Sequence, residues 1–108
     1  MAGPPKCFRA FGGAELKISM YYTYVLLCKS DKLDEDLYIG FTSDLRERVK
    51  KHQAKNVKTT SKFDEVTLVY YEACLNKQDA QKRELQLKTG FGRGFLKRRL
   101  ENYFAGMV

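Results

Sequence analysis

Cysteine is scarce in this 108-residue chain, and its three copies lie far apart at Cys7, Cys28 and Cys74. An odd number without a CxxC pair excludes a disulfide framework and a cysteine-based zinc site. Long apolar runs are missing too. None approaches the roughly 20 residues of a membrane-spanning helix, and the N-terminus lacks the apolar stretch of a signal peptide. No repeat or low-complexity segment interrupts the chain. Histidine occurs once, as His52. Acids are nearly absent from the middle: between Arg46 and Lys62 the only one is Glu47. Cys28 and Cys74 sit in apolar surroundings and read as reduced core residues. The expected location is therefore the cytoplasm, without a membrane association.

What is present suffices for a fold. Apolar residues make up 44% of the chain and aromatics 13%, enough for one domain with its own core. The formal net charge of +7 asks for an anionic partner, either nucleic acid or an acidic membrane surface. Residues 1–19 carry Pro4-Pro5 and Gly12-Gly13 without any period. They are expected to form a disordered tail, leaving residues 20–108 as a single domain.

Tyr21 to Cys28 is apolar on both faces, as a central strand must be. A polar loop over 29–36 leads to a second strand, Leu37 to Phe41, in which Gly40 allows a neighbour to come close. Thr42 or Ser43 is expected to cap a helix running to about Ala54, with Asp44 and Glu47 at its positive end. A basic, hydroxyl-rich loop covers 55–63. A third strand spans Val66 to Glu72. Asn76 caps a second helix from Lys77 to about Thr89, and Gly90 ends it in a left-handed cap. A third helix, about Gly94 to Phe104, should bury Leu96, Leu100 and Tyr103. The order ββαβαα gives an α+β fold: a small three-stranded sheet flanked by helices.

Several residues carry chemistry in this frame. Arg48 and His52 are four apart and share a helix face. Arg48 could brace a phosphate, and His52 could accept a proton. Taken singly, each is more often a salt-bridge partner or a satisfied helix-edge histidine. Tyr22 and Tyr24 share one strand face, as do Tyr38 and Gly40 on the next strand. Core packing is the default for such tyrosines, and orientation of an attacking water is the functional alternative. Glu84 falls on an apolar helix stripe with Ala80 and Leu87. A carboxylate there needs an ion-pair partner such as Arg48 or Arg83, or else holds a hard divalent cation. Lys51, Lys55, Lys58 and Lys62 form one basic group and Arg93 belongs to a second; both suit a phosphate backbone. Thr59, Thr60 and Ser61 add phosphate donors. Gly90 to Gly94 follows no strand, so it reads as an interhelix turn rather than a phosphate loop.

The ordered set Tyr22-Thr23-Tyr24, Tyr38-Ile39-Gly40, Arg48, His52 and Glu84 resembles the GIY-YIG nuclease superfamily over about residues 21–104. The stretch "YIGFTSDLRERVKKH" is close to the family's second motif and first helix. The branch it most resembles is that of small stand-alone bacterial proteins similar to the N-terminal nuclease domain of an excinuclease. The resemblance implies a three-stranded antiparallel sheet flanked by about three helices. It also implies metal-dependent cleavage of DNA. Tyr24, Tyr38, Arg48, His52 and Glu84 match the family's catalytic positions, and Glu84 matches its metal ligand for a single Mg²⁺ or Mn²⁺. The first motif lacks its glycine and isoleucine, and the loop between the motifs is long. The expected activity is endonucleolytic hydrolysis of phosphodiester bonds in DNA, with RNA left open and a protein partner as one source of specificity. The rival reading is a catalytically silent, basic nucleic-acid-binding module.

Overall fold

A computed structural model describes residues 19–31 and 35–106. The expected tail, Cys7 and Asp34 lie outside the described residues, apart from residue 19. The elements are β1 (Tyr21–Lys29), β2 (Glu35–Thr42), α1 (Leu45–Gln53), β3 (Glu65–Cys74), α2 (Lys77–Leu87), α3 (Gly90–Arg99) and α4 (Glu101–Ala105). The three strands form one antiparallel sheet in the order β2-β1-β3. The strand that is apolar on both faces is thus the central one, and residues 23–28 on it are all buried. A register irregularity between Val25 and Leu26 shifts the pairing with β3.

Alternation along β1 divides the core in two. Tyr24, Leu26 and Cys28 pack with Phe63 on one face, with Leu45 of α1 laid against them. Val25 and Ile39 pack with Leu87 of α2 and Leu96 of α3 on the other. Each fully buried aliphatic side chain contributes roughly 1.5–3 kcal/mol relative to exposure. The sheet is therefore a partition, with α1 on one side and α2 and α3 on the other.

Some local expectations change. Asp44, not Thr42 or Ser43, caps α1: its Oδ1 accepts from the Glu47 N–H at 3.1 Å. Thr42 instead holds the cap, its Oγ1 accepting from the Asp44 N–H at 3.0 Å. Asn76 caps α2 as expected, accepting from the N–H groups of Gln78 and Asp79. Gly90 is not a left-handed cap. α2 ends with Lys88 in the right-handed region, Thr89 is extended, and α3 starts at Gly90 with Thr89 as its N-cap. The glycine-rich stretch is helical because Gly92 lies against the Leu87 backbone, where a side chain would overlap. The expected third helix is two pieces, broken at Leu100. Leu96 is buried, but Tyr103 is 43% exposed.

Candidate active site

Tyr24 is the hub. It sits on the α1 side of β1 and is 0% exposed. Its cross-strand partner on β2 is Gly40. Any side chain at position 40 would overlap the hydroxyl end of the Tyr24 ring. The close approach expected at Gly40 is thus made by Tyr24, which is pressed flat along the sheet toward α1.

Two residues of α1 meet its hydroxyl. His52 Nε2 lies 2.9 Å away, and the Arg48 Nε–H donates to it at 3.2 Å. The four-residue spacing places both on the helix face toward the sheet. Tyr38 completes the group: its ring centroid is 5.0 Å from that of His52 and 6.2 Å from that of Tyr24. The structure thus brings Tyr24, Tyr38, Arg48 and His52 together, with Tyr38 and Arg48 half-buried and the other two covered.

The loop after α1 closes the cluster from behind. The Lys55 N–H donates to the His52 carbonyl and the Asn56 N–H to the Lys51 carbonyl, a Schellman ending. Lys55 takes the left-handed position, with φ of 63°, where glycine is usual. Its Nζ donates to the Phe63 carbonyl at 2.6 Å. The turned-back loop delivers Thr60, whose Oγ1 lies 2.7 Å from His52 Nδ1. Thr60 is 1% exposed, so it is not the surface phosphate donor that its sequence context suggests. A loop has no period, and nothing in the sequence marks Thr60 off from Thr59.

Burial sets the protonation states. It pushes Tyr24 up to about 12, against the lowering influence of the Arg48 hydrogen bond. Burial, and then the Arg48 charge, pulls His52 down to about 4. At neutral pH the cluster therefore holds a protonated tyrosine, a neutral imidazole and a charged guanidinium.

Glu84 is elsewhere. Ala80 and Leu87 of the same stripe are buried on the α2 side of the sheet, and the Thr23 hydroxyl donates to the Ala80 carbonyl at 2.7 Å. Glu84 has no hydrogen bond or ion pair to the tyrosine cluster among the described residues. Neither Arg48 nor Arg83 is its partner. Arg48 serves Tyr24, and Arg83 grips Glu72 of β3 with Nε at 2.9 Å and Nη2 at 3.0 Å. Glu84 instead meets Lys88 at 3.0 Å, one turn along α2. Its side chain is 21% exposed. No group of three or more metal-ligating side chains exists among the described residues. A lone, partly covered carboxylate still fits Mg²⁺ or Mn²⁺, which keep several waters and use one or two protein carboxylates beside a phosphate. Its surface lysine partner costs little to displace.

Of the expected phosphate-binding residues, Lys51, Lys55, Lys58 and Lys62 are exposed at the end of α1 and in the following loop. Arg93 is separate. It lies on α3 and lines a cleft of about 840 Å³ that also takes in Lys88, Lys97, the acids Glu35 and Asp36, and Tyr38 of the cluster. No helix among the described residues is long and apolar enough to cross a membrane.

Comparison with known proteins agrees with this layout. Residues 20–98 match the family described as the GIY-YIG catalytic domain. A UPF0213 protein of Clostridium perfringens is 43% identical over 70 residues, covering 64% of this chain and 71% of its own. One from Staphylococcus haemolyticus is 36% identical over 73 residues, covering 67% and 84%. One from Lacticaseibacillus paracasei is 42% identical over 69 residues, covering 63% and 73%. No solved structure matches the chain. By its three-stranded antiparallel sheet and the match over most of its length, the chain belongs to the GIY-YIG nuclease family, among relatives that are small stand-alone bacterial proteins.

Proposed function

We propose that the protein is a divalent-metal-dependent endonuclease that hydrolyses phosphodiester bonds in DNA, acting on branched or otherwise structured substrates. One observation carries this reading: Arg48, His52, the Tyr24 hydroxyl and the Tyr38 ring converge on one face of the sheet, on a chain of net charge +7. Arg48 commits its Nε to Tyr24. Its other N–H donors suit a phosphate oxygen and the charge that grows on it during attack. Tyr38, half-buried, orients the attacking water. Tyr24 cannot start as a tyrosinate at neutral pH, because burial holds its proton. His52, neutral at this pH, is the acceptor beside it; held at about 4 it is a weak base, so it takes the Tyr24 proton only as Tyr24 gains another. Glu84 would hold the Mg²⁺ or Mn²⁺, which supplies Lewis-acid stabilisation of the phosphate when bound. α2 also packs on β2, the edge strand that carries Tyr38, so a phosphodiester along that edge has access to both groups. Lys51, Lys55, Lys58 and Lys62 hold the backbone without reading sequence.

The lack of a hydrogen bond or ion pair between Glu84 and the cluster among the described residues, and its pairing with Lys88, favour the rival reading of a silent nucleic-acid-binding module. The two part on metal dependence. Labelled branched and linear DNA is incubated with wild type and Glu84→Ala in Mg²⁺, Mn²⁺ or EDTA. Cutting that needs the metal and is lost in Glu84→Ala is expected. Binding without cutting on every substrate would favour the silent module.

A further inference from the structure

Thr60 lies outside the set Tyr24, Tyr38, Arg48 and His52, yet it is 1% exposed and its hydroxyl meets His52 Nδ1 at 2.7 Å. We propose that Thr60 is a positioning residue: it accepts the Nδ1–H of His52 and so keeps a bare Nε2 turned toward the Tyr24 hydroxyl. The direction of the hydrogen bonds supports this. Arg48 can only donate, so the Tyr24 oxygen accepts from its Nε. The buried Tyr24 O–H must then donate, and His52 Nε2 is its acceptor at 2.9 Å. The opposite order would have the Thr60 hydroxyl donate to Nδ1 and the imidazole donate to a phenol oxygen. Either order leaves one buried hydroxyl proton to be placed, that of Thr60 in the first and that of Tyr24 in the second; a phenol is the stronger donor and an aliphatic hydroxyl the better acceptor, so the first order wins. Arg48, Tyr24, His52 and Thr60 become a one-way chain of donors and acceptors.

The chain gives Tyr24 a use although it starts protonated. Tyr24 is covered in the free protein, so the step requires that bound DNA admit the attacking water to its oxygen; as that oxygen takes the water's proton, its own proton passes to Nε2. Imidazolium then stands in the site with Nδ1–H held by Thr60. One proton enters Tyr24 as another leaves, so no tyrosinate forms. This catalytic part rests on the nuclease reading; the tautomer does not.

The test uses the full-length chain labelled with ¹⁵N, and long-range ¹H–¹⁵N correlations of its single histidine at neutral pH. The expected wild-type spectrum shows the Nδ1–H tautomer. An Nε2–H tautomer overturns the proposal whether or not the protein cuts DNA. Thr60→Val keeps shape but removes the acceptor. It should shift His52 toward Nε2–H and slow single-turnover cleavage, with DNA affinity unchanged. Thr60→Ser should restore both. If Thr60→Val does not fold, the wild-type tautomer and its retention in Thr60→Ser carry the test. A folded Thr60→Val with the wild-type tautomer and rate overturns the positioning role. A wild type that cuts nothing defeats the nuclease reading while leaving the tautomer result standing.

Discussion

Gly40 and Tyr24 face each other across the β1–β2 ladder, and the phenol ring occupies the space where a side chain at position 40 would lie. The glycine is thus the reason the Tyr24 hydroxyl reaches α1. Gly40→Ala must push the ring aside or open the strand pair. Overpacking of this kind costs typically about 1–3 kcal/mol. Denaturant unfolding should show that loss, with cleavage falling further than stability accounts for. A Gly40→Ala variant as stable and active as wild type would separate the two residues.

His52 should make stability pH-dependent. Its pKa drops from 6.5 in the unfolded chain to about 4 in the fold, so between those values the unfolded state binds more protons. The contribution is complete above pH 6.5 and is lost as pH falls toward 4. Its size reaches about 3 kcal/mol for a group this well covered. Urea midpoints from about pH 7 to pH 4 should fall accordingly, and a folded His52→Gln should flatten that slope. Equal slopes in the two proteins would contradict the assigned protonation state. By the same reasoning, the acid limb of the cleavage rate should not break at pH 6.5 but closer to 4.

Lys51, Lys55, Lys58 and Lys62 are exposed on one segment, and their action on DNA should be electrostatic. Each alanine replacement at Lys51, Lys58 or Lys62 should weaken binding of all sequences alike. It should also reduce the slope of log affinity against log salt by about one. Titrations at several salt concentrations measure this. Unchanged slopes would move the DNA to another face, with the cleft that Arg93 lines as the next place to look.

Glu84 should separate function from folding. Among the described residues it makes one ion pair, with the exposed Lys88 one helical turn along; i,i+4 helix pairs contribute about 0.3–0.5 kcal/mol. Glu84→Ala should therefore unfold close to wild type while metal-dependent cutting disappears. Loss of stability well beyond that range would make Glu84 a structural residue.

The sheet is legible in the sequence because β1 is apolar on both faces and so has to be central. The cluster is legible in part: a four-residue spacing puts Arg48 and His52 on one helix face whatever their role. Three adjacent cap-forming residues, Thr42, Ser43 and Asp44, cannot be ranked without the backbone. Gly90 to Gly94 looks like a turn because glycine is a poor helix former. Contact with Leu87 and capping by Thr89 override that propensity. Thr60 is hidden because its partner is fixed by the return path of a loop, and loops carry no period. The partner of Glu84 escapes for a similar reason. The tertiary grip of Glu72 on Arg83 leaves Lys88, one turn along, as the available cation.

The cluster around Tyr24 stands or falls on whether it cuts DNA. The most direct measurement is single-turnover cleavage of labelled branched DNA by Arg48→Ala beside wild type, with Mg²⁺ present and protein in saturating excess. Wild type should cut, and folded Arg48→Ala should bind the same DNA while cutting about 10²–10³-fold more slowly. Cleavage by Arg48→Ala at the wild-type rate would contradict the role of the cluster.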